Sequence, residues 1–438
     1  MTDMDNSSQV DIAIVGGGMV GLSLALMLSK TLTHSNIVII EGLPFTQTRP
    51  QQASFDARNT AVSAGSVTLL KQLGIWHAIE ASAHACAISE VQVSDRGHVG
   101  WANYQKQDNQ SAAAHAEQGE ALGYVVENTC LGRHLLQAVN EQKNIRCLAP
   151  ATVTQFVPRA SGAELEYEYQ GQIHKMHTEL VVLADGANSP LAVRAGIQFD
   201  THDYGQRAII ANVTHQQAHD GCAFERFTES GPLALLPMPH VIMDGHNQNQ
   251  PRSALVWTHP EAQADKYLEY SDTAFLAELQ QRFGYGLGRF TGVGERKTYS
   301  LNLVFAREQA RRNLVLVGNA AHFLHPVAGQ GFNLALRDCD ELALCLSQAQ
   351  LNKHSIGELD VLQDYVARRE QDQWLTTQLS HQFIDMFAST NPIKRVARNV
   401  GLSAVNHVKP LKSLFFEHMM GLGTLTANVS TRRSSANI

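Results

Sequence analysis

The sequence lacks a basic excess. It carries 41 Asp and Glu against 34 Lys and Arg, a formal net charge of −7. That balance excludes general nucleic-acid binding, which needs a basic footprint on the phosphates, although a locally basic face stays open within the total. Cysteines are few: Cys86, Cys130, Cys147, Cys222, Cys339 and Cys345. None forms a C-x-x-C pair or a metal-like spacing, so they read as scattered thiols in a reducing compartment. A spanning helix needs about 20 apolar residues in a row; the nearest stretch, Val10 to Leu28, contains Asp11 and a triple glycine. The opening Met-Thr-Asp-Met-Asp-Asn-Ser-Ser lacks the positive start and apolar core of a signal peptide. The expected address is therefore the cytoplasm. Internal repeats are absent too, which excludes a solenoid or propeller.

What is present is a globular composition, 44% hydrophobic and 17% charged over 438 residues. That is enough for a sizeable core, and the length predicts two intertwined domains. The chain opens with an apolar run, Val10 to Val15, then glycines, a helical stretch from Met19 to Lys30, and a second apolar run from Asn36 to Glu41. This is the start of a parallel α/β sheet. Further strands are expected over Glu179 to Asp185 and Asn313 to Gly318. A helix follows the second, with Phe332, Ala335, Leu336, Cys339, Leu342, Ala343 and Leu346 on one stripe. Residues 86–125 and 200–300 hold short β-like runs and polar loops, and read as a β-rich domain inserted into the first. From Gln371 the pattern turns helical again.

Gly16-Gly17-Gly18-Met19-Val20-Gly21 matches G-x-G-x-x-G between a strand and a helix. Small residues there allow a tight turn, close approach to a pyrophosphate and helix–strand packing. The helix beginning at Met19 would aim its free N–H groups at the phosphates. Glu41 ends the second strand, twenty residues past Gly21, where a carboxylate accepts hydrogen bonds from an adenosine ribose. The turn alone does not separate FAD from NAD.

Two later segments do. Val181-Val-Leu-Ala-Asp185-Gly186 places an aspartate at the end of a buried strand. Asn313-Leu-Val-Leu-Val-Gly318-Asn319-Ala-Ala-His322 leads through Pro326-Val-Ala-Gly329-Gln-Gly331-Phe332-Asn333 into a helix. The glycine turn, the Asp-Gly segment and the Gly-Asn-Ala-Ala-His segment, in this order, resemble the three fingerprints of the group A flavoprotein aromatic hydroxylases. The resemblance runs from about residue 10 to about 420. Ser54-Phe-Asp-Ala-Arg58-Asn-Thr-Ala-Val and Val126-Glu-Asn128, followed by Arg133, resemble further flavin-contacting stretches of the family's ubiquinone-biosynthesis branch. Val93 to His98, Ala223-Phe-Glu-Arg-Phe227 and Gly231 to Pro237 resemble the sub-branch that hydroxylates 2-polyprenyl-6-methoxyphenols.

The resemblance implies an α/β, Rossmann-like FAD-binding domain of the p-hydroxybenzoate hydroxylase type, over residues 1–85, 126–199 and 301–370. It implies an inserted β-rich substrate domain over 86–125 and 200–300, and a helical C-terminal region over 371–438. The cofactor would be FAD, with NAD(P)H as co-substrate and O2 activated as a flavin hydroperoxide. The FAD contacts would come from Gly16, Gly18, Met19, Val20, Gly21, Glu41, Arg58, Asn128, Arg133, Asp185, Gly318, Asn319, Gly329, Gly331, Phe332 and Asn333. Pro326 would offer its carbonyl on the substrate side. The family usually has Asp where this chain has Asn319, which can still hydrogen-bond a ribityl hydroxyl but adds no charge.

No side chain stands out as a catalytic base. Arg226, His322 and His325 are candidates for the pocket, and equally for packing or capping. His322 with His325 and His215 with His219 lack a third ligand, so no metal is expected. The implied substrate is a polyprenyl phenol resident in the membrane. Residues 394–420 mix basic and large apolar side chains. That mixture suits a peripheral surface against the inner face of an anionic membrane, or a partner in a quinone-synthesis complex. It suits a helix packed on the flavin domain equally well. An isoprenoid reductase on the same scaffold and a non-catalytic FAD-binding member of such a complex are the alternatives.

Overall fold

Val10–Val15 is almost wholly apolar and becomes a central strand, buried on both faces. The computed structural model describes residues 10–45, 58–95, 101–105, 121–242, 249–324 and 330–388. In it, Val10–Val15 pairs in parallel with Ile37–Ile40 on one side and Gln172–Leu183 on the other. Ile145–Leu148 and Leu314–Leu316 extend this parallel core outward. All five strands therefore end on the same edge of the sheet. Near-continuous apolar runs are what a parallel sheet covered on both faces requires.

The strand expected over Asn36 to Glu41 narrows by one residue at each end to Ile37–Ile40, and two further strands differ for local reasons. The strand expected over Glu179 to Asp185 is longer, Gln172–Leu183, because its first half forms an antiparallel hairpin with Ala163–Tyr169. The strand expected over Asn313 to Gly318 is shorter, Leu314–Leu316. Asn313 takes a left-handed conformation, φ 61°, and its side-chain amide donates to the Glu179 carbonyl at 2.8 Å; asparagine tolerates that region better than most residues.

The helices Met19–Thr31, Asn128–Asn140 and Gln330–Leu351 cover one face of this sheet around Ile12, Ile14, Leu22, Leu336 and Leu342. A second core lies on the other face, with Val38, Leu165, Leu183 and Leu191. A separate nine-stranded sheet is mostly antiparallel, with Phe199–His215, Asn249–Pro260, Gly231–Ile242 and Cys222–Thr228 at its centre. Its far face carries Glu261–Glu269 and Asp272–Phe283 over Trp257 and Phe275. Its near face meets a three-stranded sheet of Asn59–Ser63, Gly123–Glu127 and Ala85–Ile88 through a small core of Ile88, Val125, Ala223 and Ala254. The α/β fold and β-rich second sheet anticipated above are present.

The helix expected from Gln371 begins earlier: Leu359–Ala388, the last of the described elements, packs on Gln330–Leu351. Residues 394–420 lie outside the described residues. Among the described residues, no helix is long and apolar enough to cross a membrane.

Candidate cofactor-binding and active site

The glycine turn begins where the central strand ends. Gly16 has φ +108°, and a Cβ there would lie 2.5 Å from the Ala184 carbonyl oxygen. A Cβ at Gly21 would lie 1.9 Å from the Gly16 carbonyl oxygen. Only glycine fits either position. Gly18 is the extended N-cap residue of Met19–Thr31; no side chain caps that helix, and its first turn carries no acidic residue. Its first N–H groups, including those of Met19 and Val20, thus lack intrahelical partners and face outward with the positive dipole end.

Glu41 is bound to this turn. One carboxylate oxygen accepts from Gly17 N at 2.6 Å, the other from Leu43 N at 2.9 Å. Each oxygen keeps a lone pair for a further donor such as a ribose hydroxyl.

The other two segments arrive beside it. Ala184 N donates to the Val15 carbonyl at 2.8 Å, which sets Asp185 next to the glycine turn. Asp185 is exposed, yet protein crowds its carboxyl. Its partial desolvation, with the Glu41 carboxylate nearby, pushes it up to about 6, against a hydrogen bond from Ser189 at 2.7 Å. Gly318 packs against Val20 of the first helix and Ala335 of Gln330–Leu351. Asn319 approaches Gly331, where a Cβ would lie 3.9 Å from its Oδ1. Phe332 packs on the core beneath this helix. Asn333 braces Asn59–Ser63: its Oδ1 accepts from Ser63 N at 2.9 Å and its Nδ2 donates to the Ala61 carbonyl at 2.8 Å.

Arg58 and Asn128 form a second group. Asn128 N donates to the Arg58 carbonyl at 3.0 Å, and its Oδ1 accepts from Thr60 Oγ1 at 2.6 Å. The Arg58 guanidinium lies 4.8 Å from the Tyr299 ring centroid. Arg133, further along Asn128–Asn140, is exposed. Gly329, Pro326 and His325 lie outside the described residues.

These residues fit an FAD. The turn is a cradle that any Cβ would fill, the helix N-terminus has no side-chain cap, and the Glu41 carboxylate is bound beside the turn.

Beside Asn333 opens an apolar cavity of about 100 Å³, lined also by Ser63, Val91, Tyr104, Leu236 and Glu225. Glu225 is half-buried, and burial pushes its carboxyl up to about 7. The sequence reading missed it. Strand alternation turns its neighbour Arg226 to the opposite face of Cys222–Thr228.

His322 is placed elsewhere. Its Nε2 donates to Asp338 Oδ2 at 2.5 Å, and both side chains are fully buried. Arg369 Nε donates to Asp338 Oδ1 at 2.7 Å and Arg337 Nε to Asp372 Oδ2 at 2.8 Å, while Arg369 also pairs with Asp372. This network locks the third segment to its helix and to Leu359–Ala388. It was also missed; the one signal was charge embedded in an apolar helical stripe.

The chain is similar to several known proteins. A family model described as an FAD binding domain matches residues 9–380. A Rhodospirillum rubrum protein named ubiquinone hydroxylase UbiL is 35% identical over 414 residues, 94% of this chain and 89% of its own length. The 3-demethoxyubiquinol 3-hydroxylase of Escherichia coli is 31% identical over 417 residues, covering 94% of this chain and 98% of that one. In fold, the chain is similar to p-nitrophenol 4-monooxygenase PnpA of Pseudomonas putida, with a TM-score of 0.74 at 17% identity, covering 94% of this chain and 99% of that one.

Proposed function

This chain belongs to the FAD binding domain family of flavin aromatic hydroxylases, and on that premise we propose that it hydroxylates a polyprenylated methoxyphenol in ubiquinone biosynthesis, with O2 and NAD(P)H as co-substrates. It is an FAD-dependent monooxygenase. The observation that carries the choice of substrate class is the apolar cavity beside Asn333, at the start of Gln330–Leu351, with one carboxylate in its lining. An aromatic ring suits such a lining, and a hydroxyl on that ring suits the carboxylate.

FAD, when bound, supplies the redox chemistry that activates O2. The chain's own residues do the rest. The glycine turn and the Met19–Thr31 N-terminus would hold the pyrophosphate of FAD, and Glu41 would accept from its ribose. The N-terminus of Gln330–Leu351 favours negative charge beside it by up to about 2 kcal/mol. Val91, Leu236 and their apolar neighbours exclude water from the reacting ring. A polyprenyl tail keeps the substrate in a bilayer, so the reading includes access at a membrane surface or within an assembly of quinone-synthesis proteins.

The test is turnover of the purified, FAD-loaded chain with a short-chain prenyl methoxyphenol. Phenol-stimulated NAD(P)H oxidation yielding a hydroxylated ring supports the reading. Bound FAD with no ring product under any phenol overturns it.

A further inference from the structure

Among the described residues that line the cavity, Glu225 alone carries an ionisable carboxyl, and the sheet geometry aims it there. Glu225 pairs with Ala234 on one neighbouring strand and with Val93 on the other. Side chains two residues apart share a face. Ala223 and Leu236, each two positions from that row, line the cavity, as does Val91. Glu225 therefore projects from the same face, toward Ser63 and Asn333 across the opening. A carboxylate in an apolar lining carries a desolvation cost unless a ligand supplies a donor.

The charged and titratable groups around it are otherwise engaged. Arg226 points to the far face of the sheet. Glu90 accepts from Gln92 and Gln105. Arg252 donates to the Pro239 carbonyl and pairs with Glu127. Arg58 stacks on Tyr299. Tyr104 shares the cavity lining, and the side chain of Asp95 lies outside the described residues. The upward shift of Glu225 to about 7 comes from burial.

Resting on the functional reading above, we propose that Glu225 is a catalytic residue that accepts the hydrogen bond, and then the proton, of the substrate's phenolic hydroxyl. The phenol O–H bond breaks and an O–H bond to Glu225 forms. The electron pair stays on the ring oxygen and spreads into the ring, making the ring a better nucleophile toward oxygen. The proton returns when the product becomes a phenol again, so the step involves no net oxidation. A phenol of pKa about 10 needs such an acceptor to react near pH 7.

The experiment compares wild type, Glu225→Gln and Glu225→Asp as FAD-loaded full chains, with FAD content as the folding control. Binding of 2-methoxyphenol is measured from pH 5.5 to 8.5, with 1,2-dimethoxybenzene as the ligand without a hydroxyl. A charged acceptor strengthens a hydrogen bond by enough to tighten wild-type binding about fivefold as pH rises through 7. Glu225→Asp keeps that rise, Glu225→Gln loses it, and dimethoxybenzene never shows it. Under turnover, Glu225→Gln lowers kcat at least about 100-fold while KM moves much less. A Glu225→Gln variant with wild-type pH dependence and turnover overturns the assignment and leaves the hydroxylase reading intact. A wild type that binds FAD yet hydroxylates no phenol overturns both.

Discussion

His322 and Asp338 meet at 2.5 Å with no solvent access to either side chain. Of the pocket candidates in the sequence, His322 is thereby committed to holding one helix in place. Burial raises the Asp338 carboxyl, but His322 and Arg369 together hold it well below the usual carboxylate range.

Breaking this pair should be expensive. Asp338→Asn removes the charged partner of buried His322 and one of the two carboxylates on buried Arg369, which keeps Asp372; losing one member of a buried pair costs about 3–5 kcal/mol. The expected outcome is a lower Tm and weaker FAD retention, read by thermal melts and by flavin released on gel filtration. The sign of the pH effect follows from the depressed pKa. The stabilisation is present above the unfolded value near 4 and is lost only as pH falls below it. Between pH 5 and 8 the difference in Tm between wild type and variant should therefore stay flat.

Gly21→Ala forces a methyl group to within 1.9 Å of the Gly16 carbonyl oxygen. The turn must open to accept it. FAD affinity should fall by at least about tenfold, which is 1.4 kcal/mol. Fluorescence titration of the apoprotein checks this, with circular dichroism to confirm that the sheet persists.

Glu41→Gln leaves one oxygen to serve two backbone donors. Leaving a donor unsatisfied costs about 1–3 kcal/mol, so FAD should bind roughly ten to a hundred times more weakly. Glu41→Asp should lose less, since both oxygens remain.

Glu225 predicts a gain in stability on removal. Its folded pKa, about 7, lies above the unfolded carboxylate value. The folded state thus binds its proton more tightly, and stability falls as pH rises from about 4.5 to 7. Glu225→Gln should raise Tm by roughly a degree or two at pH 8 and leave it unchanged at pH 4.5. Functional groups held in unfavourable surroundings commonly show this trade.

Much of the candidate site's local geometry was legible because its constraints are local. Gly16 to Gly21, Glu41 and Asp185 sit at ends of apolar strands, and strand ends follow from hydrophobic runs and glycines. Glu225 was not legible. Ala223-Phe-Glu-Arg-Phe227 reads as an alternating strand in which either charged residue could face water. Only the pairing with Val93 and Ala234 shows which face is enclosed. The buried network escaped for a similar reason. Asp338 lies on one helix and Arg369 and Asp372 on another, and helical periodicity marks a charged residue as exposed until its partners appear. The shortened strand at Leu314–Leu316 turned on a single left-handed Asn313.

The most direct measurement is mass spectrometry of the ring product formed under isotopically heavy O2 by the FAD-loaded chain, with NAD(P)H and a prenyl methoxyphenol. The account predicts a hydroxylated ring carrying one heavy oxygen atom per NAD(P)H oxidised. NAD(P)H oxidation that yields only hydrogen peroxide, or a ring product with oxygen drawn from water, would contradict it.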